Sequence, residues 1–458
     1  MNLININTSR GLILKDYNLA KEKGKLFLDQ KKFEKGLAYF ELASRIAWKY
    51  PILEEYCDDE IEASLSKFAT TNFNPISGGD SKKRIVFYNG QIVDRGALTE
   101  QYLNYFIENK YEVLFIVSAS NKTSVGKNIL KCIAQHDNIK LVIPKSKNII
   151  ENIQFLRDNI DSFKPNKAFL HFLPNDVLGF CTFSNTINFE KYYIIHNDHT
   201  FWLGKACSDK FIEFRDFGIS VAIERRKIPS HIVLHLPFYP INDKTDFQGF
   251  PFDRTNKIVG ISGGAAYKYL ADDKLDYLDA IKELLQLYPK FIFCLCTFGD
   301  SSKITDFILK NRLQDRFYFL GKRADFYSLV GNSDILFESY PLRGGLTPLF
   351  AIEQNIPVIG ISNFKNWSGS LEQTLGITGY TQPQSISEFK IEAAKLIESK
   401  TEREKLSDIL KKNKLNKIDF NKGLTEILND NYGSLCVKTA NKLELNDEET
   451  LLSYLKLV

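Results

Sequence analysis

The sequence predicts an α/β protein of two Rossmann-like domains facing a cleft, preceded by a short helical extension. Three observations predict this. From Arg84 to about residue 361, short apolar runs alternate with amphipathic segments, the pattern of βα units around a parallel sheet. The alternation is broken once, by PFYPINDKTDFQGFPFDRTN, whose Pro, Asp and Asn mark an interdomain linker. At 458 residues the chain is also too long for one hydrophobic core.

Residues 18–50 read as two packed helices, because Gly24, Phe27, Gly36, Phe40 and Ala43 occupy the small and large positions of a tetratricopeptide unit. Such units need about three copies to stand alone, so this one should lean on the next domain or on a helix near residues 53–68. An ordinary helical hairpin fits the same residues. NFNPISGGDSKK reads as a linker. The first strand series is IVFY (85–88), VLFIV (113–117), LVI (141–143), AFLHFL (168–173) and YYIIH (192–196), with a helix from about Ala97 to Asn109. The second is KIVGI (257–261), FIFCLC (291–296), FYFLG (317–321), ILFES (335–339) and PVIGI (357–361), with a helix over about 275–287. The expected domains are an N-terminal extension (1–78), a first Rossmann-like domain (79–240), a second (252–415) and a C-terminal helical tail (416–458).

Composition narrows the function. An apolar fraction of 44% with 35 Phe and 21 Tyr supplies large buried rings and excludes wholesale disorder. The net charge of +4 is scattered and forms no basic stripe, so nucleic acid is not an expected partner. Seven cysteines at irregular spacings, with no CxxC pair, read as reduced core thiols. The start lacks a signal-peptide pattern, and no run approaches the roughly 18 apolar residues of a membrane span. A cytoplasmic location is expected, with docking on a membrane surface left open.

The densest chemistry lies in FESYPLRGGLTPLFAIEQNIPVIGI (337–361), a strand, a glycine-bearing loop, a helix and a strand. Gly344 and Gly345 let backbone N–H groups approach a ligand, Thr347 can cap the helix or donate to an oxygen, and Arg343 adds a cation, a set that suits a diphosphate. A plain strand-to-helix turn would use the same residue types. In ISGGAAYKY (261–269), Gly263 and Gly264 follow a strand, so that their amides and Lys268 could meet the diphosphate or the sugar; a tight turn with a solvated lysine competes. HNDHTFWLG (196–204) follows another strand. There His196, Asp198 and His199 could position an acceptor hydroxyl or take its proton, because a carboxylate beside an imidazole raises its basicity and fixes its tautomer. A zinc reading is weaker, since these residues do not share a helix face and no fourth ligand is evident. In CSDKFIEFRDFGISVAIERRKI, Glu213 and Arg215 share one side of an extended strand and read as structure. No Asp-x-Asp pair follows an apolar strand, and Asp272 and Asp273 fall in a loop or helix start. No metal is therefore expected, and cations and helix dipoles would neutralise a leaving diphosphate.

Three successive stretches, FLGKRADFYSLVGNSDILFESYP, GGLTPLFAIEQNIPVIG and NWSGSLEQTLGI, resemble the bacterial relatives of the O-linked N-acetylglucosamine transferases and similar GT-B enzymes. The resemblance lies mainly within residues 258–410. The loop departs from that family by one extra residue between Pro341 and Pro357, and by Gly345 and Leu346 where those enzymes carry a His-Thr pair; that histidine's role does not carry over. The resemblance implies that the turn 321–326 faces the nucleobase, with Arg323 at its edge and Phe326 stacked on it, although a core role for Phe326 fits its helical position too. It also implies that NGQIVDRGALTEQ (89–101), with Asp94, Arg95 and Gly96, opens towards the sugar or acceptor. The implied activity is inverting, metal-independent transfer of a sugar from a nucleotide donor, UDP-linked, to a hydroxyl of a glycan or protein. No cofactor is implied beyond that donor substrate. The N-terminal helices would recruit the acceptor or a protein partner. A nucleotide-sugar epimerase or hydrolase and a non-catalytic partner subunit are the alternative readings.

Overall fold

The computed structural model describes residues 3–50, 55–90, 97–118, 126–241, 245–270, 275–362, 380–412 and 414–437. Asp94, Arg95, Gly96, Asp272, Asp273 and the stretch NWSGSLEQTLGI lie outside the described residues. The chain divides into two compact units, the first built on residues 1–214, 218–238 and 421–442 and the second on 239–420.

The first unit opens with helices Leu3–Asp29 and Phe33–Lys49, packed as a hairpin, and a third helix, Asp59–Asn72. The hairpin closes on its glycines. A Cβ at Gly24 would lie 2.9 Å from the Phe40 ring, and one at Gly36 would lie 2.6 Å from the Leu28 side chain. Asp58 caps the third helix by accepting from the Glu60 and Ile61 amides at 3.0 Å, and it also takes the Tyr17 hydroxyl and Lys21 from the first helix.

The segment read as a linker is a packed element. Strand β1 (Ile76–Ser77) lies within it and pairs with β6 (Thr186–Ile187), and Gly78 is pressed so close that a Cβ would lie 2.4 Å from the Asn188 carbonyl oxygen. Arg157, 2% exposed, donates to the carbonyls of Asn74 (2.6 Å), Thr182 (2.8 Å) and Ser184 (2.7 Å), tying the segment to its neighbours.

The sheet of this unit contains β2 (Arg84–Asn89), β3 (Glu112–Val117), β4 (Ile139–Val142), β5 (Lys167–His171), β7 (Glu190–Ile194), β8 (Lys210–Glu213) and β9 (Val233–His235). All its pairs are parallel, in the order β4-β3-β2-β5-β7-β8-β9. The second unit carries β10 (Ile258–Ala265), β11 (Phe291–Phe298), β12 (Phe317–Phe319), β13 (Ile335–Phe337) and β14 (Val358–Ile359), again all parallel, in the order β12-β11-β10-β13-β14. Runs such as FIFCLC are apolar throughout because helices cover both faces of a parallel sheet. In each unit the winding reverses beside the first strand, between β2 and β5 and between β10 and β13. Ligands of doubly wound sheets bind at such reversals, outside the carboxyl ends of the strands.

The helix Lys417–Leu428 returns the chain to the first unit. Thr425 meets the Tyr105 hydroxyl at 2.6 Å, Asp430 pairs with Lys167, and Cys436 bridges Leu234. Among the described residues, no helix is long and apolar enough to cross a membrane.

Candidate functional site

At the reversal in the second unit, the end of β10 and the loop after β13 converge. Gly264 has φ of +156°, and a Cβ there would stand 3.5 Å from Lys268 Cδ and 4.0 Å from Ser339 Oγ. A Cβ on Gly344 would lie 3.2 Å from Thr347 Oγ1 and 3.9 Å from Lys268 Nζ. Gly264, Lys268, Ser339, Gly344 and Thr347 are therefore neighbours. The loop is fastened to Lys268 twice, by the Leu342 amide on the Lys268 carbonyl (3.2 Å) and by Lys268 Nζ on the Arg343 carbonyl (3.0 Å). Burial lowers the Lys268 pKa, and Glu338 partly opposes the shift.

The other sequence candidates of this unit sit differently. The Arg343 guanidinium is 2% exposed and turned inward, 3.4 Å from Glu338 and hydrogen-bonded to Gln382, which itself donates to Glu338 at 2.8 Å. Arg323 forms a two-pronged pair with the fully buried Asp325 at 2.7 Å on each prong and donates to the Gly249 carbonyl at 3.1 Å, which ties the chain before β10 to the turn after β12. The Phe326 ring lies against Gly263, where a Cβ would come within 2.4 Å of it. Gly345 is exposed, with nothing within 4 Å of a Cβ. Thr347 does not act as the cap, since Leu346 occupies that position of helix Thr347–Glu353 and no side chain caps it. Ser339, Glu338 and Gln382 went unread in the sequence. Gln382 lies 44 residues from Glu338, and no local pattern joins them.

In the first unit, the segment after β7 carries His196, Asp198 and His199. Asp198 is fully buried, and its Oδ1 lies 3.1 Å from Nδ1 of His199, whose side chain is 25% exposed. That contact favours the tautomer with a proton on Nδ1 and leaves Nε2 as the basic nitrogen. His196 is exposed, and its ring stands 5.7 Å from that of His171 at the end of β5. Burial, and then His196, push His171 down to about 3, so it stays neutral; neither ring nitrogen has a hydrogen-bond partner among the described residues. Among the described residues, no group of three or more His, Cys, Asp or Glu is arranged to hold a metal ion.

The segment is held from behind by residues with no sequence signal. Arg226, fully buried, donates through Nη2 to the carbonyls of Asp198 (2.9 Å) and Thr200 (2.6 Å) and lies 4.6 Å from the Trp202 ring. Glu62, on the third helix of the extension, accepts the amides of Gly204 (2.9 Å), Lys205 (3.2 Å) and Ala206 (2.5 Å). In sequence, Arg226 belongs to a charge run, ERRK, which resembles a solvated surface.

No protein-family model matches the chain, and no curated protein does. Solved structures match over most of its length. Anabaena Alr3699/HepE, solved in complex with UDP and glucose, is 15% identical, with 75% of this chain and 99% of that chain covered at a TM-score of 0.53. The fold is GT-B. The Thermobaculum terrenum O-GlcNAc transferase matches at 14% identity over 93% of this chain and 85% of its own, with a TM-score of 0.52. A putative UDP-N-acetylglucosamine 2-epimerase from Listeria monocytogenes matches at 12% identity over 76% and 96%, with a TM-score of 0.56.

Proposed function

We propose that this chain is a glycosyltransferase that takes a sugar from a UDP-linked donor, without a metal, and passes it to a hydroxyl of a glycan or protein. One observation carries the reading: Lys268, Gly264, Ser339, Gly344 and Thr347 meet at the winding reversal of the second unit, where doubly wound sheets hold nucleotides. There Lys268 supplies a charge, the glycines bring backbone close, and two hydroxyls can donate to diphosphate oxygens. In the first unit, Asp198 orients His199, whose Nε2 takes the acceptor proton as the hydroxyl attacks the sugar carbon and the diphosphate leaves. Direct attack from the far side inverts the anomeric centre. Arg343 and Arg323 shape the donor site through their buried partners. The setting is the cytoplasm, where the thiols stay reduced.

The Listeria neighbour favours one second reading, a nucleotide-sugar epimerase or hydrolase on the same fold. The two differ in the acceptor: an epimerase or hydrolase consumes donor without one.

Thermal unfolding against UDP, UDP-sugars and other nucleoside diphosphates, with and without chelator, is the test. A ligand at 100 times its Kd adds about 2.7 kcal/mol. The reading requires stabilisation by a uridine nucleotide, unchanged by chelator; none with any nucleotide sinks it and favours a non-catalytic partner subunit.

A further inference from the structure

We propose that Arg226 is a positioning residue that holds Asp198, and through it the His199 imidazole, in the geometry that proton removal needs. This rests on reading the segment after β7 as the acceptor side. Asp198 is gripped at both ends: its carbonyl accepts from Arg226 Nη2 at 2.9 Å, and its Oδ1 lies 3.1 Å from His199 Nδ1. The same Nη2 takes the Thr200 carbonyl at 2.6 Å, so one nitrogen spans the backbone on both sides of His199. The Arg226 guanidinium also packs near the Trp202 ring at 4.6 Å and the Tyr56 ring at 5.5 Å.

Charge supplies the second argument. Asp198 and Glu213 are both fully buried, and both reach Gly218, where a Cβ would lie 2.2 Å from Glu213 Oε2 and 2.9 Å from Asp198 Oδ2. Arg226 lies in the field of both carboxyls. A buried guanidinium carries a desolvation cost that an apolar side chain of similar volume would avoid. What an apolar residue cannot do is hold two carbonyls and place a positive charge near Asp198.

The test uses the full chain labelled with ¹⁵N-histidine, recorded at alkaline pH where the imidazoles are neutral. The wild type should show His199 with its proton on Nδ1. Arg226→Met should move that proton towards Nε2, while the thermal shift with UDP, which reads the other unit, stays as in the wild type. Arg226→Lys keeps the charge but loses the planar fork and should restore part of the Nδ1 form. If Arg226→Met does not fold, Arg226→Lys decides, with a fall in the Nδ1 population expected. An unchanged His199 tautomer in a folded variant overturns the proposal. Should the wild type bind no UDP, the transferase reading fails separately, and the tautomer still decides the role of Arg226.

Discussion

Lys268 and Arg343 look alike in sequence, as cations beside glycine loops, but their surroundings make them different. The Lys268 ammonium donates to the Arg343 carbonyl and stands beside Gly264 and Gly344 at the winding reversal, whereas Arg343 faces Glu338 and Gln382. Lys268→Met should therefore weaken UDP binding about tenfold to a hundredfold, from a lost charge-assisted bond of about 1.5–3 kcal/mol, with little change in melting temperature. Calorimetric titration with UDP measures it. Arg343→Met should do the reverse in order of severity: breaking a buried pair costs about 3–5 kcal/mol, which urea unfolding would register before any effect on the nucleotide. Equal stability of the two variants would contradict this division of roles.

At the scale of elements, the N-terminal helices act as a buttress. Glu62 joins the third helix to the backbone of Gly204, Lys205 and Ala206, and the Trp202 amide reaches the Tyr56 carbonyl at 3.4 Å. Burial pushes the Glu62 carboxyl up from 4.5 to about 7, against the pull of those three amides. The sign follows from the raised value: the group's contribution is fully present below the unfolded value and is lost as pH rises through the folded one. Stability should fall between about pH 4.5 and 7, by about 3 kcal/mol. Glu62→Gln, which cannot ionise, should flatten that part of the urea-unfolding profile; an equally steep profile in the variant would show that another group causes it. Asp58 titrates the other way. Burial alone would raise its pKa, but Lys21 and Tyr17 lower it on balance, so its contribution is lost only in acid, as pH falls through a value below 3.8.

At the scale of the molecule, the chain crosses from its first unit to its second and returns. The returning helix Lys417–Leu428 buries Leu424 and Ile427 completely, and the residues after it pair Asp430 with Lys167. Ending the chain at residue 416 should destabilise the first unit by at least about 3–6 kcal/mol from those two side chains alone, at about 1.5–3 kcal/mol each. Scanning calorimetry should show one transition shifted downward and the UDP-responsive one kept; a uniform loss of both would mean that the units unfold as one.

Element type was legible where periodicity is local. IVFY, VLFIV and FIFCLC read as buried strands because side chains alternate or run apolar over a few residues, and the structure has strands there. The pairing of β1 with β6 was hidden, because its two residues per strand lie in a stretch rich in turn formers. The glycine loops and HNDHT were legible as places where chemistry could gather, since glycine and titratable side chains stood after apolar runs. Their partners were not. By itself the sequence determined the order of βα units, the break between two series and the segments that follow the strands, all consequences of short-range steric and hydrophobic periodicity. Only tertiary structure decided that Gln382 joins Arg343 and Glu338, that Lys268 stands beside Gly264 and Gly344, and that Arg226 and Glu62 hold the segment after β7. The reason is that burial and charge pairing depend on groups brought together from 28 to 144 residues away, as Arg226 is to Asp198 and Glu62 to Ala206.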